Sequence, residues 1–410
     1  MRQFFFTLLA LPIWAVTACT GPAHEVGVDV VQESDFIDVG DLTEIACDFK
    51  VYPLKADIPL DGIGGIKCWG HKMFARSNDD KRLLCFDDYK LYAVLDRLGR
   101  GPGEYIYLSD FSYDEKENLI YVGNDSVICV YDGTTTAFIR KQYVTFDTQN
   151  LLNVGDKMLY YGLDIDESRK RDDDTEYNPT QMVILADRAE WDLKNNRTVL
   201  YSHSFARRLI YGFPQLFYVN PQNMSFCIPG YVNRIVTFDN DSVTDVYKFQ
   251  LEPALGNEVV NRYKDEELAD GLSGTVFAND YVNMLMEGKF ITNTYNIIVD
   301  KGTVSFRVNY CGVSPLADPE DLRTTDYNGY LYWVHNKSGT NVYKKLRIPG
   351  LIQFIDPTGC HDNRNVAIIE NLGEDAFDDT ADMSPLAREI LDELKKQNDD
   401  NPVVLEFRFK

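Results

Sequence analysis

Short runs in which apolar and polar residues alternate make up most of the chain, and these runs are rich in Val, Ile, Tyr and Phe. Asn, Asp and Gly bound the runs, as in RLLCFDDYKLYAVLD at residues 82–96 and KFITNTYNIIVDKGTVSFRV at residues 289–308. Alternation with a period of two predicts β-strands. Many short strands without helices between them are typical of a sandwich, a barrel or a propeller.

An internal repeat favours the propeller among these three architectures. The recurring phrase is a strand, a polar turn, a strand ending in Asp, a tight turn and another strand, with copies at residues 119–142, 233–249 and 295–308. The copies recur about every 40 to 60 residues, which fits one four-stranded blade. Six repeat centres are counted, near residues 85, 130, 185, 235, 298 and 335. The chain is therefore predicted to fold as an all-β, six-bladed β-propeller.

The C-terminal end breaks the strand pattern and then resumes it. Residues 384–398 carry helix signals, namely an N-cap Ser384 followed by Pro385. One face of this helix is predicted to contain Leu386, Ile390, Leu391 and Leu394. Alternation returns in Pro402–Lys410. We expect this last strand to pair with an N-terminal strand near residues 36–45, which would close the ring and remove two free sheet edges.

The N-terminus has the features of an export signal. An apolar run of fifteen residues, Phe4 to Ala18, is too short for a spanning helix, which needs about 20 residues. The end of this run and the next residue, Val16-Thr17-Ala18-Cys19, resemble the lipobox of Gram-negative bacterial lipoproteins, which implies that Cys19 is the lipidated first residue of the mature chain. The predicted domains are a signal peptide at 1–18, a tether at 19–35 and the propeller at 36–410.

The charge, the cysteines and the residues after Cys19 limit which partners and which location we expect. The chain has 41 Lys and Arg against 64 Asp and Glu, a net charge of −23, so nucleic acid is not an expected partner. Eight cysteines leave seven after Cys19, an odd number that implies at least one free thiol or an intermolecular bridge. We expect these cysteines to be small buried side chains, and the sequence leaves any disulfide pairing open. No acidic run follows Cys19, so the predicted location is the periplasmic face of the outer membrane.

The glycine-rich phrase LGRGPGEY at residues 98–105 is interpreted as a junction between blades. It lacks the Gly-Lys-Ser/Thr of a P-loop, and Glu104 stands where a dinucleotide-binding fingerprint needs glycine. Gly99, Gly101 and Gly103 permit positive φ and Pro102 fixes the middle of the turn. Glu104 is expected to accept backbone hydrogen bonds across the junction.

These features together resemble a family of six-bladed β-propeller lipoproteins from Gram-negative gut anaerobes, whose function is largely unknown. The resemblance rests on LGRGPGEY, on VYPLKAD at residues 51–57, and on the acidic helix followed by NPVVLEFRFK at residues 401–410. It covers both ends of the mature chain and the first blade junction. The resemblance implies the propeller fold and a lipid anchor.

The sequence contains no catalytic constellation that the spacing rules support, so no catalytic residue, metal ligand or cofactor is predicted. Its five histidines are scattered, and the segment from Asp164 has Arg169 where a calcium loop needs glycine. Aromatic residues make up 13% of the chain, and those next to Asn suit carbohydrate or peptide recognition. Tyr218, Trp333 and His335 are the candidates for a ligand surface on a rim or channel.

The predicted function is that of a monomeric, lipid-anchored binding or scaffolding protein for a glycan, peptide or protein partner in the cell envelope. The alternative is a metal-assisted hydrolase or lactonase with carboxylates converging at the mouth of the propeller channel. A metal ion with three or more protein ligands in the channel would favour the enzyme.

Overall fold

The computed structural model describes residues 27–60, 62–77, 81–164, 180–204, 218–219, 224–228, 233–239, 242–252, 291–313, 326–370, 372–378, 383–397 and 401–410. The described secondary structure is mostly β-strand, in sheets of four to six strands. Blades are numbered 1 to 6 from the first sheet formed by consecutive strands.

Three strands near the N-terminus each join a different sheet. They are β1 (Val28–Gln32), β2 (Phe36–Asp38) and β3 (Ala46–Pro53). β1 and β2 add in parallel to the outer strands of two other blades, whereas β3 pairs antiparallel with the C-terminal strand. The first described part of the chain therefore runs along the edges of three blades.

Blade 1 is a four-stranded antiparallel sheet whose strands follow chain order. Its strands are β4 (Ile63–Trp69), β5 (Lys72–Ser77), β6 (Arg82–Asp87) and β7 (Lys90–Asp96). The turn between β6 and β7 has positive φ at both Asp88 (46°) and Tyr89 (62°). Positive φ at both central residues suits the twist of the strands that such a turn joins.

Blades 2 and 3 share one continuous six-stranded sheet. Its strands are β8 (Asp110–Asp114), β9 (Leu119–Asp132), β10 (Phe138–Val154), β11 (Lys157–Asp164), β12 (Thr180–Asp187) and β13 (Thr198–Ser204). β10 pairs with β9 mainly through its first residues and with β11 through its last ones, and its register with β9 shifts between Tyr143 and Thr148. This long strand therefore ends blade 2 and begins blade 3.

Blades 4 and 5 each carry a fifth strand supplied by the N-terminal segment. Blade 4 contains β14 (Tyr218–Val219), β15 (Met224–Ile228), β16 (Asn233–Asp239) and β17 (Ser242–Glu252). Blade 5 contains β18 (Ile291–Asp300), β19 (Thr303–Val313), β20 (Asp326–Asn336) and β21 (Gly339–Lys344). β1 extends blade 4 by pairing with β17, and β2 extends blade 5 by pairing with β21.

Blade 6 is assembled from both ends of the chain, which confirms the predicted closure. It contains β22 (Pro357–His361), β23 (Arg364–Ile369), β24 (Val403–Phe409) and β3, in that order. The first strands of neighbouring blades contact one another, as β22 does with β4 and β18. These first strands therefore form the inner surface of the ring, and the apolar clusters lie between the blades.

Two details of the predicted closure and blade count were wrong. The strand that pairs with β24 is β3, not a strand near residues 36–45, because Phe36–Asp38 is already paired with β21. The repeat centres near residues 298 and 335 lie in the same blade, and the sixth blade comes from the two chain ends. Six blades were therefore predicted correctly although one was counted twice.

The predicted helix before the last strand is confirmed as α1 (Pro385–Lys396). Its first turn is capped because Ser384 Oγ accepts a hydrogen bond from Ala387 N at 3.0 Å. The helix buries Ala387, Ile390, Leu391 and Leu394 against β3 and the residues that precede it. Leu386 was expected on this face but is exposed, since Ala387 takes the inward position.

Part of the predicted tether is structured, because β1 lies within residues 19–35 and pairs with β17. The signal peptide at 1–18 and the lipidation site Cys19 lie outside the described residues. In the described part of the chain, no helix is long and apolar enough to span a membrane. Described cysteine side chains carry free thiols, and all are buried except the partly buried Cys47.

Candidate ligand-binding groove

An open groove lies where the N-terminal segment passes from blade 4 to blade 5, and its cavity volume is about 380 Å³. We call it the edge groove. Its walls are β1 and β2 on one side and the start of β21 on the other. The groove is lined by Val28, Asp29, Val30, Val31, Asp35, Ile37, His335, Gly339, Thr340, Asn341 and Val342.

Alternation in β1 decides which side chains reach the protein and which reach solvent. Val28 and Val30 are 42% and 52% exposed, whereas Val31 is buried. Asp29 lies between the two exposed valines and turns toward blades 4 and 5, as expected for a strand with a period of two. Ile37 of β2 is also exposed and extends the apolar wall.

Asp29 is the polar centre of the edge groove and links two blades. Its Oδ2 accepts a hydrogen bond from the Tyr247 hydroxyl of β17 at 2.5 Å and another from the Thr340 hydroxyl of β21. His335 Nδ1 lies 2.7 Å from Thr340 Oγ1 and 3.1 Å from Asp29 Oδ2. The carboxylate thus fastens β1 to both blades.

The hydrogen bonds assign a tautomer to His335. The Thr340 hydroxyl donates to Asp29, so it is an acceptor toward His335 Nδ1, which must carry a proton. Within the described residues Nε2 has no hydrogen-bonding partner, and the side chain is 34% exposed. The Nε2 atom of His335 is therefore open to a ligand in the groove.

The charges at this centre follow from the same contacts. Burial raises the pKa of Asp29, but hydrogen bonds from Thr340 and Tyr247 and the nearby His335 outweigh burial and lower it overall. Burial raises the pKa of Tyr247, and the hydrogen bond to the Asp29 carboxylate raises it further. Asp29 is therefore ionised and Tyr247 is a neutral donor at neutral pH.

Of the three predicted ligand-surface residues, the structure brings His335 and Trp333 to one place. Trp333 does not form a rim or channel surface, because its side chain is fully buried and packs against Phe249 at a ring-centroid distance of 4.9 Å. Its Nε1 donates to the Tyr247 hydroxyl at 2.9 Å and so supports the groove from behind. Tyr218 is in β14, and its side chain lies outside the described part.

Two sheet edges border the groove. Among the strands that the structure describes, β1 is the last one of its sheet. β2 pairs with Val342, Tyr343 and Lys344 of β21 but leaves the earlier residues Gly339–Asn341 without a strand on that side, among the residues described. Backbone N–H and C=O groups at such edges are available to pair with an added strand.

The glycine-rich loop at residues 98–105 is far from this groove in the ring and is held by internal bonds. Glu104 Oε2 accepts from Gly101 N at 2.7 Å, so this bond lies within the loop and not across the junction. Lys141 of β10 supplies the contact across the junction by donating to the carbonyls of Gly101 and Glu104 at 2.8 and 2.9 Å. The loop is thereby tied to blade 2.

Only one of the three glycines in the loop has a positive φ. Gly99 has φ of 152°, and a Cβ there would lie 2.0 Å from Glu104 Oε2. No larger residue fits at Gly103, because a Cβ there would lie 2.7 Å from the Phe138 ring. Gly101 also packs on the Glu104 carboxylate, and Pro102 lies between it and Gly103. All three glycines permit positive φ, and only Gly99 uses this freedom.

Among the described residues, no group of three or more His, Cys, Asp or Glu side chains is arranged to hold a metal ion. The hydrolase or lactonase alternative stays a prediction from the sequence.

Comparisons with known proteins identify the architecture. A family model described as a 6-bladed beta-propeller matches residues 24–303. A Bacteroides fragilis protein described as exported is similar in structure, with a TM-score of 0.61, 16% identity, and coverage of 94% of this chain and 100% of that chain. No curated protein matches the sequence.

Weaker structural similarities extend to other proteins. Hydrazine synthase from Kuenenia stuttgartiensis gives a TM-score of 0.38 at 11% identity, covering 87% of this chain and 88% of that chain. BamB from Moraxella catarrhalis gives 0.37 at 9% identity, covering 88% of this chain and 98% of that chain. The family match extends over more than half of the sequence. The chain therefore belongs to a family of six-bladed β-propellers.

Proposed function

We propose that this protein is a monomeric, lipid-anchored binding protein of the cell envelope, and that the edge groove binds an extended segment of a partner polypeptide. The observation that carries the proposal is the pair of sheet edges that border the groove, on β1 and on Gly339–Asn341. An extended peptide gains affinity by adding backbone hydrogen bonds to such an edge.

The protein's own N-terminal segment supports this mode of binding. β1 pairs in parallel with β17 along five residues, and β2 pairs in parallel with β21 along three. The outer strands of blades 4 and 5 thus already accept an added strand. A partner segment in the groove would continue the same mode of pairing beside β1 or before β2.

Side chains around the groove suit a particular peptide composition. Val28, Val30 and Ile37 are exposed and would contact apolar side chains that point toward the groove wall. Asp35 and His335 are polar groups at the same groove. We therefore expect a segment with alternating apolar residues and a basic residue or a hydrogen-bond donor between them.

Panning a phage-displayed library of random peptides on the full-length protein in detergent tests this proposal. We expect enriched peptides with alternating apolar positions that bind Val30→Asp at least about tenfold more weakly than wild type, because the variant places a charge on the apolar wall. Fluorescence anisotropy with the enriched peptides would measure the loss.

Val199→Asp is the matched control for this experiment. Val199 lies on β13, the last strand of its sheet, and is 46% exposed compared with 52% for Val30. We expect peptide binding by this variant to equal that of wild type. Enriched peptides that bind Val30→Asp as tightly as wild type, or a library that yields no saturable binder, would contradict a peptide-binding groove.

The proposed location is the periplasmic face of the outer membrane, with Cys19 as the lipid anchor. The lipobox-like sequence supports the lipid anchor. The similar Bacteroides fragilis protein, which is described as exported, supports export of this protein. We expect Cys19→Ser to move the protein from the membrane fraction to the soluble fraction, since the acyl chains that hold it would be absent. Cys47→Ser should remain in the membrane fraction. Retention of Cys19→Ser in that fraction would overturn the anchor.

A further inference from the structure

Four buried side-chain oxygens near the inner edge of blades 2 and 3 have no hydrogen-bonding partner among the described residues. They are Ser109 Oγ, Asn124 Oδ1, Gln149 Oε1 and Asn150 Oδ1. The three amide side chains are 5%, 7% and 3% exposed, respectively. We call these four residues the amide cluster. It is separate from the edge groove, which lies on blades 4 and 5.

Backbone contacts bring the four residues together. Ser109 N donates to Gly123 O at 3.0 Å, which places Ser109 beside Asn124 of β9. Thr148 is the pairing partner of Asp125, so the next residue, Gln149, also lies near Asn124. Gln149 is the extra residue of a bulge in β10, where the register with β11 shifts between Thr148 and Asn150.

The bulge gives the Gln149 side chain its position. An extra residue in a strand leaves the ladder locally and redirects its side chain, and bulges often lie next to binding sites. Asp110 fixes the backbone beside the cluster, because its Oδ2 accepts from Leu151 N at 3.0 Å. Lys67 in turn holds Asp110 at 2.8 Å. The first strands of blades 1, 2 and 3 are therefore joined beside the amide cluster.

Unpartnered buried acceptors are costly, at about 1–3 kcal/mol each, so four on neighbouring parts of blades 2 and 3 point to a ligand that donates hydrogen bonds. A metal cation is disfavoured, because Lys67 is close by and the Arg76 guanidinium lies 3.5 Å from Ser109 O. A hydroxyl group both donates and accepts, so it satisfies each amide in either orientation of its O and N atoms.

We propose that the amide cluster is a binding site for a neutral, hydroxyl-rich ligand of the sugar class. Asn124, Gln149 and Asn150 bond the ligand hydroxyls directly, and Ser109 completes the set. The Lys67–Asp110 pair fixes the backbone at Leu151, next to Asn150. This site does not depend on the function proposed for the edge groove.

Saturation-transfer NMR on the full-length protein tests the site, with glucose, galactose, mannose and N-acetylglucosamine and their disaccharides as probes. We expect at least one sugar to give a saturable signal. Gln149→Met and Asn150→Leu should each weaken binding by about tenfold, because each removes bonds to the ligand. The melting temperature of both variants should stay at or above that of wild type, since neither variant loses a protein partner.

Gln142→Met on the same strand is the matched control. Gln142 Nε2 donates to Glu190 O at 2.7 Å, so this variant should lose stability yet bind the sugar as wild type does. No saturable signal from any probe would overturn the proposal. So would unchanged sugar binding by both cluster variants, or a fall in their melting temperature as large as that of Gln142→Met.

Discussion

Single buried or half-buried carboxylates connect parts of the chain that are distant in sequence. Asp29 bonds Tyr247 and Thr340, which lie 218 and 311 residues away. Glu406 bonds Tyr89, 317 residues away. A carboxylate can stay charged in such places because several donors replace the water it loses. At the scale of the residue, these acceptors fix the positions of the strands around them.

Glu104 gives a prediction at this scale. Glu104→Ala removes the hydrogen bond to Gly101 N, so we expect the free energy of unfolding to fall by about 1–2 kcal/mol. Binding of peptides selected on the edge groove should not change. Urea unfolding measures the free energy of unfolding, and fluorescence anisotropy measures peptide binding. The control is Glu393→Ala on the exposed face of α1, which we expect to change the free energy of unfolding by less than about 0.5 kcal/mol. Intact stability with lost peptide binding would assign the loop to a binding site.

The sequence contained a signal for part of the groove but not for its centre. His335 and Trp333 were recognisable in an aromatic strand next to Asn, although Trp333 proved to be buried. Asp29 was missed because GVDVVQ at residues 27–32 is a short pattern directly after a polar stretch, and the residues that bond Asp29 lie in blades 4 and 5. The amide cluster was also missed, since the pairing of strands from blades 2 and 3 brings its residues together.

Elements with long alternation were predictable, whereas their pairing partners often were not. The helix and the last strand were identified from capping and alternation. The sequence does not predict that β1 and β2 pair in parallel with β17 and β21, because no turn sequence connects the paired strands. Blade 5 was counted as two repeats since its strands are 10 and 11 residues long, except for β21. Turn spacing therefore overestimates the number of blades where strands are long.

The junction between blades 6 and 1 is held by an ionised pair with a pH-dependent charge. Glu406 Oε1 accepts from the Tyr89 hydroxyl and lies 2.5 Å from His361 Nδ1, while His361 Nε2 lies 2.8 Å from Gly70 O. Burial lowers the pKa of His361, but the Glu406 hydrogen bond and charge outweigh it and raise it overall. Burial raises the pKa of Glu406, but bonds from His361 and Tyr89 lower it overall.

The directions of these two pKa shifts set a window of stability. The contribution of His361 is complete below its ordinary value of 6.5 and is lost as pH rises through its raised pKa. The contribution of Glu406 is complete above its ordinary value of 4.5 and is lost as pH falls through its lowered pKa. The pair therefore stabilises the junction most strongly between these two values.

Glu406→Gln tests the pair at the scale of the element. At about pH 6 we expect the free energy of unfolding to fall by about 3 kcal/mol. The deficit relative to wild type should shrink at about pH 9, because the contribution of His361 is lost as pH rises through its raised pKa. Urea unfolding at both pH values measures it. Asp87→Asn, which breaks the exposed pair with His71, should cost less than about 0.5 kcal/mol at either pH. A deficit that does not vary with pH would exclude the ionised pair.

For the whole molecule, the ring depends on strands from the two chain ends. β24 pairs with β23 on one side and with β3 on the other, so both of its edges are hydrogen-bonded within blade 6. The N-terminal segment continues from β3 back along blades 5 and 4 through β2 and β1, and it forms one wall of the edge groove. Closure of the ring and formation of the proposed binding site are therefore linked through the same segment.

Thermal unfolding of a chain that lacks residues 402–410 tests this closure most directly. The truncation removes β24, which leaves β3 and β23 without their shared partner and exposes the apolar core of blade 6. We predict that the truncated protein shows no cooperative unfolding transition by circular dichroism, whereas the full-length protein shows one. A truncated protein that melts cooperatively at the temperature of the full-length chain would contradict closure of the ring by its two ends.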